Sequence, residues 1–501
     1  MDNNFNEKLK EFKEYLEKIE YLSNAIGVLY WDMRTKIPKK GIPYRGEIIG
    51  YLSSENYKLQ TSDKMKEFID YFISQENLDD VTKAMVYNAK KNYDQTKKIP
   101  EDKYKEYVIL TSNSEAAWEE ARAKSDFSIF KPYLEKVLEF NKEFAEYWGY
   151  EGNKYNALLD NYEPGITVEK LDKIFGEVRD AIVELLNKIQ NSKVKINTEF
   201  FKKFFTVEEQ EEFSVFVLKK LGYDFEAGRL DVSTHPFTIN FGNKDVRITT
   251  RYEENEFRGA LFSSIHEGGH AIYEQNIPDE LRGTGLAGGA SMGIHESQSR
   301  YYENILGRSR EFWSYFYPEA QKRFKQFEGV SIDEFYKAIN IVEPSLIRTE
   351  SDELTYSLHI IIRYEIEKAL INGQVKVEEL PEVWNAKYKE YLGVEPKNDA
   401  EGVLQDMHWS DGSFGYFPSY ALGNLYGAQF TAKMLRDMPD FYNLVENGEL
   451  DTVKEWLKEN IHKYGAVYKP SEIIKMVTDE DLNAKYFIDY LNKKYTEIYN
   501  L

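Results

Sequence analysis

The 501 residues are 42% hydrophobic and 30% charged, the balance of a globular chain able to bury a large core. A net charge of -21 argues against a general role on nucleic acid or anionic membranes, which both demand a basic footprint. With no cysteine there can be no disulfide, and any metal must be held by His and carboxylate side chains.

Residues 1–22 are charged and amphipathic, without the apolar core of a signal peptide, and no uncharged apolar run approaches bilayer-spanning length. The expectation is a cytoplasmic protein. Phe5, Leu9, Phe12, Leu16 and Ile19 recur at spacings of four and three, predicting an opening helix that packs one stripe against the body. Similar periodicity predicts helices over 134–148, 171–189, 360–371 and 421–435. The charge-rich stretches 64–76 and 97–105 read as solvated faces. No repeat or long Pro/Gly/Ser linker marks a boundary, so a single, mainly α domain over 1–501 is expected, its metal site within 230–420.

Residues 230–252 break the helical pattern. Phe237, Ile239 and Phe241 alternate with polar residues, Gly242-Asn243-Lys244 supplies a turn, and Val246, Ile248 and Thr250 alternate again. A β-hairpin is predicted there, either as an edge for pairing with an extended peptide or as a brace. Gly283-Thr284-Gly285-Leu286-Ala287-Gly288 formally matches G-x-G-x-x-G, but loop-like residues precede it where a dinucleotide fold needs a strand. It reads as a flexible connection.

Between these features lies His266-Glu267-Gly268-Gly269-His270, an H-E-x-x-H pattern. On a helix the two imidazoles lie on one face, able to bind one cation, while Glu267 reaches water bound to it. A catalytic zinc needs a third ligand, and Glu274, Glu280, His295, Glu296 and Glu303 are the candidates. Glu274 shares a helix with His270 and is poorly placed to close a tetrahedron. Glu296 opens a new helical pattern and is chosen, because helices hold ligands more rigidly than loops. Glu303 is either a hydrogen-bond partner of a ligand or an exposed charge. The expected cofactor is one zinc ion, with cobalt as the alternative. Glu267 is the expected general base for attack of bound water on a carbonyl. Gly268 and Gly269 each cost about 1 kcal/mol relative to Ala inside a helix, so something is expected to pass close over them.

Several blocks in order resemble the thermostable (Taq-type) carboxypeptidase family of metallocarboxypeptidases. They are Tyr30-Trp31-Asp32, His235-Pro236-Phe237, Asp245-Val246-Arg247-Ile248-Thr249, the His266–His270 motif and His295-Glu296-Ser297-Gln298-Ser299. Further on come Ile347-Arg348-Thr349-Glu350-Ser351-Asp352, Gly402-Val403-Leu404-Gln405-Asp406-Met407-His408-Trp409 and Gly415-Tyr416-Phe417-Pro418-Ser419-Tyr420, with Ser351 where the family usually shows Ala. The resemblance implies a mainly helical, neurolysin-like fold with a deep groove, one wall of it formed by the N-terminal helices. It also implies a homodimer that removes C-terminal residues from peptides with broad specificity, and it supports Glu296 as third ligand. An oligoendopeptidase on the same fold is the nearest alternative, and a binding protein with a degenerate site the more distant one.

A carboxypeptidase must read a free carboxylate, for which the planar fork of Arg is suited. Arg348 is the first candidate, against a helical pairing with Asp352; Arg247 is the second, against pairing with Asp245. His235 is placed either at the groove's closed end or in a structural turn. His408 and Tyr420, then Tyr416, are candidates for hydrogen bonds to an oxyanion or to substrate. Gln405, Asp406 and Trp409 are expected to shape their loop, and His359 and His462 are assigned no chemistry.

Overall fold

A computed structural model describes residues 3–501, and among these the architecture is helical apart from three short strands. The opening helix, Asn3–Thr35, buries Phe5 and Phe12 and half-buries Leu9, Leu16 and Ile19, so the stripe packs as expected. Phe12 stacks on Phe68 and Phe72 of the helix Asp63–Ile73, with ring centroids 5.1 and 5.5 Å apart. That stretch is therefore solvated on one face only: Met65, Phe68, Ile69 and Phe72 are buried beneath its charges. The helices expected from periodicity span Phe127–Trp148, Val168–Gln190, Glu353–Ile371 and Pro418–Asp437. One hydrophobic cluster runs from Phe5 to Tyr499.

The hairpin consists of β2 (Thr238–Asn240) and β3 (Val246–Thr250), antiparallel with Ile239 opposite Arg247. Gly242 takes a positive φ of 112° in the turn, where a Cβ would be strained. A third strand, β1 (Leu230–Val232), pairs parallel to β3, giving the order β1-β3-β2. Unlike β2, β1 has no turn linking it in sequence to β3, and the predicted hairpin is the larger part of a small mixed sheet.

The sheet lies between the opening helix and the helix Phe257–Gln275. Val246 and Ile248 are fully buried, and Thr250 donates to the Ala260 carbonyl of the helix Phe257–Gln275. On the opposite face, Phe241 and Ile239 lie against Gly27 of the opening helix, where a Cβ would stand 2.8 Å from the Phe241 ring. Ile239 of β2 and the following Phe241 thus face the N-terminal helix, and the polar Thr238 and Asn240 face the Phe257–Gln275 helix. Residue 27 must be small for the two to meet.

Candidate active site

The helix Phe257–Gln275 carries His266, Glu267 and His270, and it is crossed by the helix Met292–Arg300, which starts at a Ser291 cap. Two glycines permit the crossing. A Cβ on Gly269 would stand 2.7 Å from Ser299 Cα and 2.8 Å from the Gln298 carbonyl oxygen, while one on Gly268 would meet Leu218 Cδ2 at 2.4 Å. The close approach expected over these glycines is that of another helix and a leucine. From the far side the helix Pro418–Asp437 presses Gly423 against Glu296.

His266 Nε2 and His270 Nε2 lie 3.8 and 3.4 Å from Glu296 Oε2, and the three ligating atoms converge within 4.8 Å. The other atoms of these side chains are engaged. His266 Nδ1 meets Glu303 Oε2 at 2.9 Å, His270 Nδ1 meets His295 Nδ1 at 2.6 Å, and Glu296 Oε1 accepts from Arg300 Nε at 2.7 Å. Glu303 stands in a π-helical turn, Tyr301–Leu306, that continues the Glu296 helix, so the α-helix expected through it is locally underwound and shifted in phase. Glu274 does not join the converging atoms; it hydrogen-bonds His295 Nε2 at 2.7 Å.

Burial governs the electrostatics. It pushes the His270 imidazole down to about 3, keeping it neutral, which is the ligating form. Burial raises the Glu296 carboxyl, but the Arg300 guanidinium, His266 and His270 together outweigh it and hold the group well below the usual carboxylate range. Glu303 is likewise held to about 2, burial being overcome by Arg300 and His266. Glu267 behaves oppositely: burial lifts its carboxyl above the ordinary value, against His266 and a 2.6 Å hydrogen bond from Thr238 Oγ1. A raised pKa suits a group that takes and returns a proton.

These residues lie in a groove of about 1380 Å³. His235, exposed, is on its wall, as are Arg348, Tyr416 and Tyr420; the N-terminal helices reach it through Arg122. Arg348 is buried, its Nε and Nη2 donating to Asp406 Oδ1 at 3.0 and 2.8 Å and its Nη1 to Tyr356 at 3.2 Å. It does not pair with Asp352, which instead caps the helix Glu353–Ile371 through Thr355 N. Asp406 also takes Arg363, Gln405 braces Arg348 N and the Leu346 carbonyl, and Trp409 donates to Glu367. His408 is half-buried behind Tyr420, 3.3 Å from its hydroxyl, and desolvation lowers its imidazole to about 4. Tyr416 and Tyr420 pack edge to face, 5.1 Å apart.

Arg247 is not brought to the groove. Both arms of its fork are taken by Asp245 at 2.7 Å, and its guanidinium lies over Trp31 and Phe241 on the N-terminal side of the sheet. The alternation rule explains this: Arg247 faces the side opposite to Val246 and Ile248, which cover the metal-motif helix. Residues not singled out from sequence include Thr238, Arg300 and Tyr356. Arg300 had a usable signal, its i+4 spacing from Glu296; the Thr238 contact joins segments 29 residues apart and left none.

A family model described as Carboxypeptidase Taq (M32) metallopeptidase matches residues 11–495. The chain belongs to this family. It is 53% identical to carboxypeptidase 1 of Bacillus subtilis, over 98% of this chain and 99% of that one. It is 39% identical to thermostable carboxypeptidase 1 of Pyrococcus furiosus, with the same two coverages. Among solved structures, a Pyrococcus furiosus carboxypeptidase superimposes with a TM-score of 0.95 at 38% identity, covering 99% of each chain. Metallocarboxypeptidase 1 of Trypanosoma cruzi superimposes at 0.94 and 34%, covering 98% of this chain and 99% of that one. The mainly helical fold is thus that of a Taq-type carboxypeptidase, and the activity is that of a peptide hydrolase of this family rather than an oligoendopeptidase.

Proposed function

We propose that the chain is a zinc carboxypeptidase in which His266, His270 and Glu296 hold the ion, Glu267 moves the proton, and Arg348 reads the substrate's C-terminal carboxylate. The carrying observation is the convergence of two imidazole nitrogens and one carboxylate oxygen on the groove floor, every competing atom of the three side chains being engaged elsewhere. Two His and one Glu form a known zinc donor set, and ligands around tetrahedral zinc stand about 3.3 Å apart, near the spacings seen here. When bound, the ion supplies Lewis acidity, acidifying water and polarising the scissile carbonyl.

The protein does the rest. Thr238 holds Glu267 toward the groove, where its carboxylate takes a proton from attacking water and returns it to the departing amine. Tyr420 and Tyr416 line the groove as hydroxyl donors suited to charge developing on the carbonyl oxygen, with His408 behind Tyr420 and in contact with its hydroxyl. Arg348 spends three of its five N–H groups on Asp406 and Tyr356, and the remaining two are offered to a carboxylate. Thr238 and Asn240 place the free edge of β2 on the groove, where an extended peptide can pair. A homodimer, supported by the family resemblance, and a cytoplasmic location, supported by the amphipathic opening and the absence of cysteine, complete the reading; light scattering and cell fractionation test these two points.

The deciding experiment compares a short peptide with a free and with an amidated C-terminus, for wild type and metal-loaded Glu267→Gln. Stepwise release of residues from the free peptide alone, lost in the variant, is expected. Equal cleavage of both peptides would remove Arg348 from its role, and an active Glu267→Gln would remove Glu267 from its own.

A further inference from the structure

The two histidines of the motif are backed differently. His266 meets Glu303 directly, whereas His270 meets a second imidazole, His295, which in turn meets Glu274. Two facing ring nitrogens bond only when one bears hydrogen and the other a lone pair. For His270 to offer its Nε2 lone pair, its hydrogen must sit on Nδ1, so His270 donates and His295 Nδ1 accepts. His295 then carries its hydrogen on Nε2, which donates to Glu274 Oε1 at 2.7 Å. Glu274 is buried; Oε1 also accepts from Gly289 N at 3.1 Å, and Oε2 from Asn240 of β2. The reverse order would set an acceptor nitrogen of His295 against a carboxylate and put the His270 hydrogen where the ligand lone pair is needed. Only one direction satisfies every atom.

The imidazole of His295 is also confined. Tyr273 packs on it with centroids 5.1 Å apart, and a Cβ on Gly289 would stand 2.6 Å from its Cδ2.

We propose that His295 and Glu274 are positioning residues for His270, a two-member relay that fixes the tautomer and rotation of the ligand ring and ties it to β2. The inference rests on the ligand set proposed above. It gives Glu274, four residues from His270 and not itself a ligand, a function exerted through a side chain of the neighbouring helix.

The test uses metal-free full-length protein, Zn²⁺ titration against a chromophoric chelator, visible spectra of the Co²⁺ form, and the metal-free Tm. His295→Phe fills the slot without either hydrogen bond; its Zn²⁺ dissociation constant is expected to rise about 10–100-fold, with an altered Co²⁺ spectrum and a retained metal-free Tm. His295→Asn keeps an acceptor near the Nδ1 position but does not reach Glu274, and should fall between. A purely structural role would lower the Tm of both and leave the folded protein's Zn²⁺ constant within about twofold, which would overturn the proposal. Should His295→Phe not fold, the Zn²⁺ constant and Co²⁺ spectrum of His295→Asn decide alone. His266→Ala and Glu296→Gln separate the two readings: if they leave Zn²⁺ binding intact, the ligand set itself fails. If they abolish it while the His295 variants bind normally, only the relay fails.

Discussion

Gly423 lies against Glu296 so closely that a Cβ on the glycine would stand 2.4 Å from the glutamate Cγ and 2.9 Å from its backbone carbon. The helix Pro418–Asp437 therefore acts as a backstop, and the glutamate's place at the metal site depends on a missing side chain. Gly423→Ala would gain up to about 1 kcal/mol of helix propensity, yet overpacking should cost about 1–3 kcal/mol and displace Glu296. Reduced Tm with Zn²⁺ affinity lowered about tenfold or more is the expected outcome. Gly427→Ala, whose Cβ would sit 3.2 Å from the Ser297 carbonyl oxygen, is the milder control.

The paired glycines of the motif should respond unequally. At Gly269 the obstacle is the backbone of Gln298 and Ser299, whereas at Gly268 it is the end of the Leu218 side chain. A leucine terminus can rotate away; two crossing helices cannot separate without moving the ligands. Thermal melts of the two alanine variants should show Gly269→Ala destabilised by about 1–3 kcal/mol and Gly268→Ala by clearly less. Equal losses would mean that the crossing is not held by contact at Gly269.

Asp406 is the common counter-charge of Arg348 and Arg363, the latter fully buried. Asp406→Asn leaves two guanidinium groups without it and should cost about 3–5 kcal/mol in urea unfolding. Burial pushes the Asp406 carboxyl up, but the two arginines outweigh it and hold it far below the ordinary range. A carboxyl depressed in the folded state binds fewer protons there, so its contribution is complete above about pH 4 and lost as pH falls further. The Asn variant should accordingly lose stability less steeply in acid than wild type.

Much of the site was legible because its determinants are local. The i, i+4 imidazoles, the Glu296 helix and the alternation of β2 and β3 are read within one or two turns of chain. What escaped is set by distant contacts. Nothing near Glu274 indicates that Asn240 and His295 will meet it, and three residues of β1 carry no period. Arg247 shows how a correct strand still leaves its faces to be assigned: alternation predicts two faces, and only the packed helix decides which is the inner one. In the stretch 64–76, dense charge concealed four buried apolar residues at helical spacing.

Glu367 offers a pH effect of the opposite sign. It is buried and accepts from Tyr155, Trp409 Nε1 and Gly415 N, tying the segment before the Tyr416–Tyr420 wall to the helix Glu353–Ile371. Burial lifts its carboxyl to about 7 in spite of these donors. The folded state thus keeps a proton that the unfolded chain releases near pH 4.3, so this contribution is complete below about pH 4.3 and lost as pH rises through about 7. The span is worth about 4 kcal/mol. In urea titrations, Glu367→Gln should gain about that much on wild type between pH 4 and about pH 8, whatever its constant cost.

Arg247 and Arg348 occur in similar blocks, but their surroundings predict different variants. Arg247 is paired with Asp245 and stacked on Trp31 away from the groove, so its removal should be felt in the join between sheet and opening helix. Arg247→Gln is expected to cost about 0.5–1.5 kcal/mol while kcat/KM on free peptides stays within about twofold. Arg348 lines the groove, and in the proposed role the loss of its charged hydrogen bond to the substrate carboxylate is worth about 1.5–3 kcal/mol. Arg348→Gln should therefore lower kcat/KM on the free peptide about 10–100-fold and shrink the difference between free and amidated peptides. A preference for free C-termini that survives Arg348→Gln but vanishes in Arg247→Gln would reverse the assignment.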